Sequence, residues 1–232
     1  MEEFTNNQRR LVTLNVTFNA SGAARAARKG DVVMIVDLID MSTTAEAALD
    51  AGALDVFGAS PDHVNVPVVI NPEKIGYFAG KKALKYDTEI IIVTEPRQAT
   101  EEERRKNIQL ALTGVKRSGA QVDNILANIG CEVTTLAEFK DKIVLLITEC
   151  GGVAFDTAYN HGAPRVITGT VARTMDKKGI KPAKDSAKRA IKLAKKYNTG
   201  ITLVAASSNS YEDVLAAEHI AKLIIEAGFL QV

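Results

Sequence analysis

Two stretches of this chain repeat each other, and the repeat restricts the fold more than any other feature. Residues 33–59 (VMIVDLIDMSTTAEAALDAGALDVFGA) lie over residues 143–169 (IVLLITECGGVAFDTAYNHGAPRVITG) at an offset of 110 without a gap. Each reads as apolar strand, polar turn, short helix, Gly-Ala and short strand. Gly52-Ala53 falls on Gly162-Ala163, Ala48 on Ala158 and Val56 on Val166, while Glu46 meets Asp156 and keeps its charge. A second pair, residues 81–94 and 192–205, follows at an offset of 111. There Lys81, Ala83, Lys85, Tyr86, Thr88, Ile90 and Val93 all recur. Shared helix-to-strand composition explains a few such matches but not an ungapped register, so the chain reads as a duplication.

The repeated unit sets the architecture. VVMIVDLI, EIIIVT, KIVLLIT and GITLVAA are continuous runs rich in Val and Ile, the pattern of strands buried on both faces of a parallel sheet. Helical stretches over 43–51, 72–85, 100–118, 152–161, 182–197 and 210–227 alternate with them. Thr100 with glutamates in the first turn, and Gly119 after the last, delimit one helix; Pro182 opens another that Asn198 and Gly200 close. The expectation is an α/β protein, three-layer α/β/α with a largely parallel sheet, built from two duplicated α/β halves. The halves are an N-terminal one over 1–120 and a C-terminal one over 121–232, joined by 121–141 into one continuous unit with a shared cleft.

Composition narrows the partners. A net charge of +1, from 29 basic and 28 acidic residues, gives no general pull toward nucleic acid or anionic membrane. Aromatics at 5% and the absence of Trp leave few base-stacking platforms. The start, MEEFTNNQRR, has no basic segment leading into an apolar one, and no run approaches a membrane span. Cys131 and Cys150 have no CxxC partner, and His63, His161 and His219 show no zinc-ligand spacing. The expected compartment is the cytoplasm, the expected partner is a small anionic phosphorylated substrate, and a homodimer is compatible with this reading.

In open α/β sheets ligands bind beyond the carboxyl ends of the strands. The first apolar strand ends in Asp37-Leu38-Ile39-Asp40-Met41-Ser42-Thr43-Thr44, and its repeat in Thr148-Glu149-Cys150-Gly151-Gly152. Both join acidic groups to small or hydroxylated residues at a helix start, where free N–H groups receive phosphate or carboxylate. Ser42 or Thr43 equally fits a plain N-cap. Carboxylates repel a phosphate unless a cation intervenes, so Mg²⁺ held by Asp37, Asp40 and Glu149 would reconcile the two; each of these also fits a structural carboxylate. Asp37 and Glu149 are the candidate catalytic groups. Ser42, Thr43, Thr44, Gly151 and Gly152 are candidate substrate contacts, with Arg97, Arg173, Ser207 and Asn209 from other strand ends. A surface ion pair is the simpler role for Arg97 and Arg173. No GxSxG, GxxxxGK[ST] or GxGxxG occurs.

At these turns the chain resembles the 2-phosphosulfolactate phosphatase family of coenzyme M biosynthesis. VVMIVDLIDMSTTAEAALDAGA is similar to that family's strand, D-V-L-R-A-T-T-T turn and helix. VDNILANIGCEVTTLAEFKDKIVLLITECGG is similar to its G-N-S-P stretch and strand into T-T-T-N-G-T, and ITLVAASSNSYEDVLAAEHIA to its last strand, polar loop and E-D-x-x-x-A helix. Residues 60–118 match poorly. The resemblance implies an α/β hydrolase that uses Mg²⁺ to cleave a phosphate monoester of a small sulfonated or carboxylated acid. By position Asp37, Ser42, Thr43, Thr44, Gly151, Glu212 and Asp213 are kept. The motif arginine is Asp40 here, the T-T-T-N-G-T asparagine is Cys150, and the G-N-S-P stretch runs around Asn128 to Glu132. An anion in place of a cation changes the substrate charge preference or disables the site. The alternative is a non-catalytic small-anion binding or regulatory protein on the same scaffold.

Overall fold

The computed structural model describes residues 12–231, and the polar start at residues 1–11 lies outside them. Strands β1 (Leu14–Phe18), β2 (Val32–Val36), β3 (Asp55–Ala59) and β4 (Ile90–Thr94) precede β5 (Val122–Ala127), β6 (Ile143–Ile147), β7 (Val166–Thr168) and β8 (Ile201–Ala205). The helices are α1 (Asn19–Lys29), α2 (Ser42–Asp50), α3 (Pro72–Lys85), α4 (Glu101–Lys106), α5 (Gln109–Ser118), α6 (Gly151–Asn160), α7 (Lys181–Tyr197) and α8 (Tyr211–Glu226). A 3₁₀ segment, Gly130–Thr135, stands where α1 stands in the first repeat.

All strand pairs are parallel, but they form two four-stranded sheets, ordered β1-β8-β2-β7 and β3-β6-β4-β5. Replacing each strand by its repeat (β1 by β5, β2 by β6, β3 by β7, β4 by β8, and the reverse) turns one order into the other. Every ladder joins a strand from before residue 121 to one from after it. The repeats are therefore interleaved strand by strand.

Helices cover both faces of each sheet. On one face of the first sheet, Val32, Met34 and Val36 meet the alanine-rich sides of α7 and α8. On its other face Val33 and Ile35 join a core with α1 and α6. Alanines at these contacts let helix and sheet approach closely. Helices α2 and α6 lie between the sheets: α6 touches β2 and β7 of one and β3 of the other, and α2 touches β7, β3 and β6. Helices α3 and α5 cover the far side of the second sheet.

Four features differ from the sequence reading. Residues 121–141, read as a link, hold edge strand β5, whose alternating exposure gives it no continuous apolar run. Strand β1 (LNVTF), which alternates apolar and polar residues, and the small-residue helix α1 lie outside the continuous apolar runs and helical stretches read from the sequence. The 100–118 helix is broken into α4 and α5, because the Asp62 carboxylate accepts from the N–H groups of Gln109 and Leu110 and caps a new helix there. Thr100 caps α4 as expected, and Glu103 completes a capping box with it. Among the described residues no helix is long and apolar enough to cross a membrane.

Candidate active site

The loop after β2 sits where strands of both sheets end. Asp37 is buried, and both its oxygens are engaged: Oδ1 accepts from the Asp40 N–H (3.1 Å) and Oδ2 from the Gly151 N–H (2.6 Å). It thereby ties the first repeat's turn to the start of α6. Asp213, in the first turn of α8, is also buried and accepts from the Leu38 N–H (2.8 Å). From the second sheet, Asn128 follows β5 and Glu95 follows β4. Fully buried Asn128 donates to the Asp40 carbonyl and to Glu95 Oε1 (3.4 Å), while its Oδ1 accepts from Thr44 Oγ1 (2.6 Å) and the Gly130 N–H. The Asp40 carboxyl stands next to Glu95 and disfavours its charged form.

Four carboxyl groups, those of Asp37, Asp40, Glu95 and Asp213, thus meet at the strand ends, and the proton affinities of Asp37, Glu95 and Asp213 rise. Burial, and then repulsion from Asp213, push Asp37 up to about 7 against the opposing N–H of Asp40. Burial and the adjacent Asp40 push Glu95 up to about 8. Burial pushes Asp213 up to about 6, although the Leu38 backbone favours its charged form. The physical cause is shared: ionised carboxylates are poorly solvated here and repel one another. Burial and the same carboxylates push the Cys150 thiol up to about 11. A thiol so disfavoured as thiolate is unsuited to nucleophilic or metal-binding chemistry.

The hydroxyls expected to face a ligand are spent on the fold. Ser42 Oγ accepts from the Asp37 N–H and donates to the Ile35 carbonyl, so it braces β2 instead of capping α2. Thr43 Oγ1 bonds the Leu38 carbonyl and Thr170. The two glycines serve protein contacts. A Cβ on Gly151 would lie 2.4 Å from Asp37 Oδ2, and one on Gly152 2.1 Å from the Ala59 carbonyl.

The other candidates spread around the rim. Glu149 is exposed and pairs with His63 at 3.1 Å, apart from the Asp37–Asp40 turn. Arg97 reaches the acidic loop, donating to the Ile39 carbonyl (3.1 Å) and standing 3.9 Å from Asp40. Arg173 pairs with Glu132 on the surface. Ser207 Oγ accepts from the Asn209 N–H. Two cavities open beside this centre. One of about 390 Å³ is lined by Glu95, Arg97, His63, Asn107 and Glu149; another of about 270 Å³ lies against Glu149, Cys150 and Ser207.

Among the described residues, no group of three or more His, Cys, Asp or Glu side chains is arranged to hold a metal ion. Asp37, Asp40 and Glu149 in particular do not come together: the oxygens of Asp37 are engaged, and Glu149 turns to His63. Mg²⁺, however, needs only one or two carboxylates when water and substrate phosphate complete its shell. The Asp40–Glu95 pair, which needs a proton to relieve its repulsion, has that donor chemistry. Glu95 and Asn128 are the site residues that sequence reasoning missed as site residues. Glu95 was visible only as a strand-end residue, and Asn128 only within a resemblance block. No protein-family model matches this chain, and no curated protein matches it.

Proposed function

We propose that this chain is a hydrolase of phosphate monoesters of small sulfonated or carboxylated acids, using Mg²⁺ bound by Asp40 and Glu95. The observation that carries the reading is the meeting of Asp37, Asp40, Glu95 and Asp213 at the carboxyl ends of both sheets, where burial and mutual repulsion favour a compensating cation. Mg²⁺ bound there would supply charge neutralisation and polarisation of a phosphoryl group. Glu95 lines the 390 Å³ cavity, and as a metal ligand it would give up its proton and hold Mg²⁺ beside the substrate phosphate. Asn128 orients it. Asp37 acts through position: it holds the β2 turn against α6. Arg97, at the mouth of the same cavity, offers a guanidinium to the substrate's sulfonate or carboxylate, and so supplies from a neighbouring loop a cation that the turn itself lacks at Asp40.

The test is phosphate release from a panel of phosphorylated hydroxy acids, with and without Mg²⁺. Release from a carboxylated or sulfonated member is expected, dependent on Mg²⁺, with Glu95→Gln lowering kcat and raising the Mg²⁺ concentration required. Absence of release across the panel, or release indifferent to Glu95→Gln, rejects the reading in favour of a binding protein.

A further inference from the structure

The two repeats fill equivalent space differently. In the second repeat Tyr159 of α6 meets Phe57 of β3 and Phe78 of α3, with ring centroids 6.5 Å and 5.7 Å apart. The offsets of 110 and 111 place Leu49, Ile167 and Arg189 at the mates of Tyr159, Phe57 and Phe78. All three of those residues line a cavity of about 270 Å³. Three rings fill the space on one side of the pseudo-symmetric molecule; on the other an aliphatic-walled hollow remains.

This hollow is also basic. Arg189 donates through Nη2 to buried Glu46 and to the Thr168 carbonyl (2.8 Å), which holds its guanidinium in the wall of the cavity. Arg165 lines the cavity and pairs with Asp55, and Lys192 stands exposed at its edge. Three cations therefore face two carboxylates. A hydrocarbon-lined cavity of about 150 Å³ suffices to hold benzene, so a ring with a short anionic substituent fits the measured volume.

We infer that this cavity is a second ligand site, separate from the acidic centre, that takes a small aromatic carboxylate. The ring occupies the place where Tyr159 and its neighbours pack in the other repeat, and the carboxylate meets Lys192 and Arg165 at the rim. The inference does not depend on the hydrolase reading, since no residue of the acidic centre lines the cavity.

Isothermal titration of the full chain with benzoate tests it, with benzyl alcohol as the neutral counterpart. One benzoate per chain is expected, with benzyl alcohol binding about tenfold or more weakly, a difference set by the lost charge. Leu49→Tyr should abolish binding by restoring the ring found in the mate. Lys192→Glu, at an exposed position that leaves the fold intact, should weaken it about tenfold. Absence of saturable benzoate binding overturns the inference. So does equal binding of benzyl alcohol, or benzoate binding unaffected by Lys192→Glu.

Discussion

Glu95 lies between an acid that raises its proton affinity and an amide that lowers it, and burial sides with the acid. The folded protein holds this proton up to about pH 8, whereas an ordinary glutamate loses it near 4.5. Between those values the native state binds more protons than the unfolded one, so Glu95 makes stability fall as pH rises. Asp37 and Asp213, also raised, act in the same direction. Glu95→Gln keeps the shape, donates to Asp40 and accepts from Asn128 without titrating. Its melting temperature relative to the parent should therefore rise progressively from about pH 4.5 to about pH 8. Melting curves of the two proteins that stay parallel over that range contradict the argument. At this scale the sequence showed which residues follow the strands: Asp37, Asp40 and Asp213 were all within view. It did not show that Glu95 would meet Asp40, because that contact spans two sheets and no local pattern encodes it.

Among the elements, strong local chemistry was legible and weak chemistry was not. The buried strands β2, β4, β6 and β8 are Val- and Ile-rich throughout, and the capping box at Thr100 starts α4 where its residues indicate. Helix α1 escaped because its buried side is made of alanine and glycine, small residues that stand out less than a Val, Ile or Leu stripe although they are regularly spaced. The break between α4 and α5 escaped because its cap, Asp62, comes from a distant loop. The start of α6 was read correctly as a helix but for a different purpose. Gly152 is needed because the Ala59 carbonyl at the end of β3 occupies the space of a side chain. Gly152→Ala should thus destabilise the protein by about 1–3 kcal/mol through overpacking. Denaturant melts give this value directly. An unchanged midpoint, with loss of phosphate release alone, would instead assign Gly152 to ligand approach.

Across the whole molecule, the duplication was legible and its interleaving was not. Matching residues at offsets of 110 and 111 reveal related units, but nothing local tells a strand to pair with the other unit and not its own. Because every ladder crosses between the repeats, neither 1–120 nor 121–232 alone can form any of the observed strand pairs. Each piece expressed separately should lack the cooperative melt, and the two together should recover it as a complex; a cooperative melt from either piece alone contradicts this topology.

The acidic centre is a product of the same topology, since Asp37 and Asp213 stand beyond one sheet and Glu95 and Asn128 beyond the other. Its defining property is a set of carboxyl groups that hold protons near neutrality. Carbon-13 NMR titration of the Asp and Glu carboxyl groups, assigned through Asp37→Asn, Glu95→Gln and Asp213→Asn, measures this directly. The account gives midpoints of about 6 for Asp213, about 7 for Asp37 and about 8 for Glu95 in the folded protein. Midpoints for all three at the ordinary carboxyl value of about 4 would contradict it.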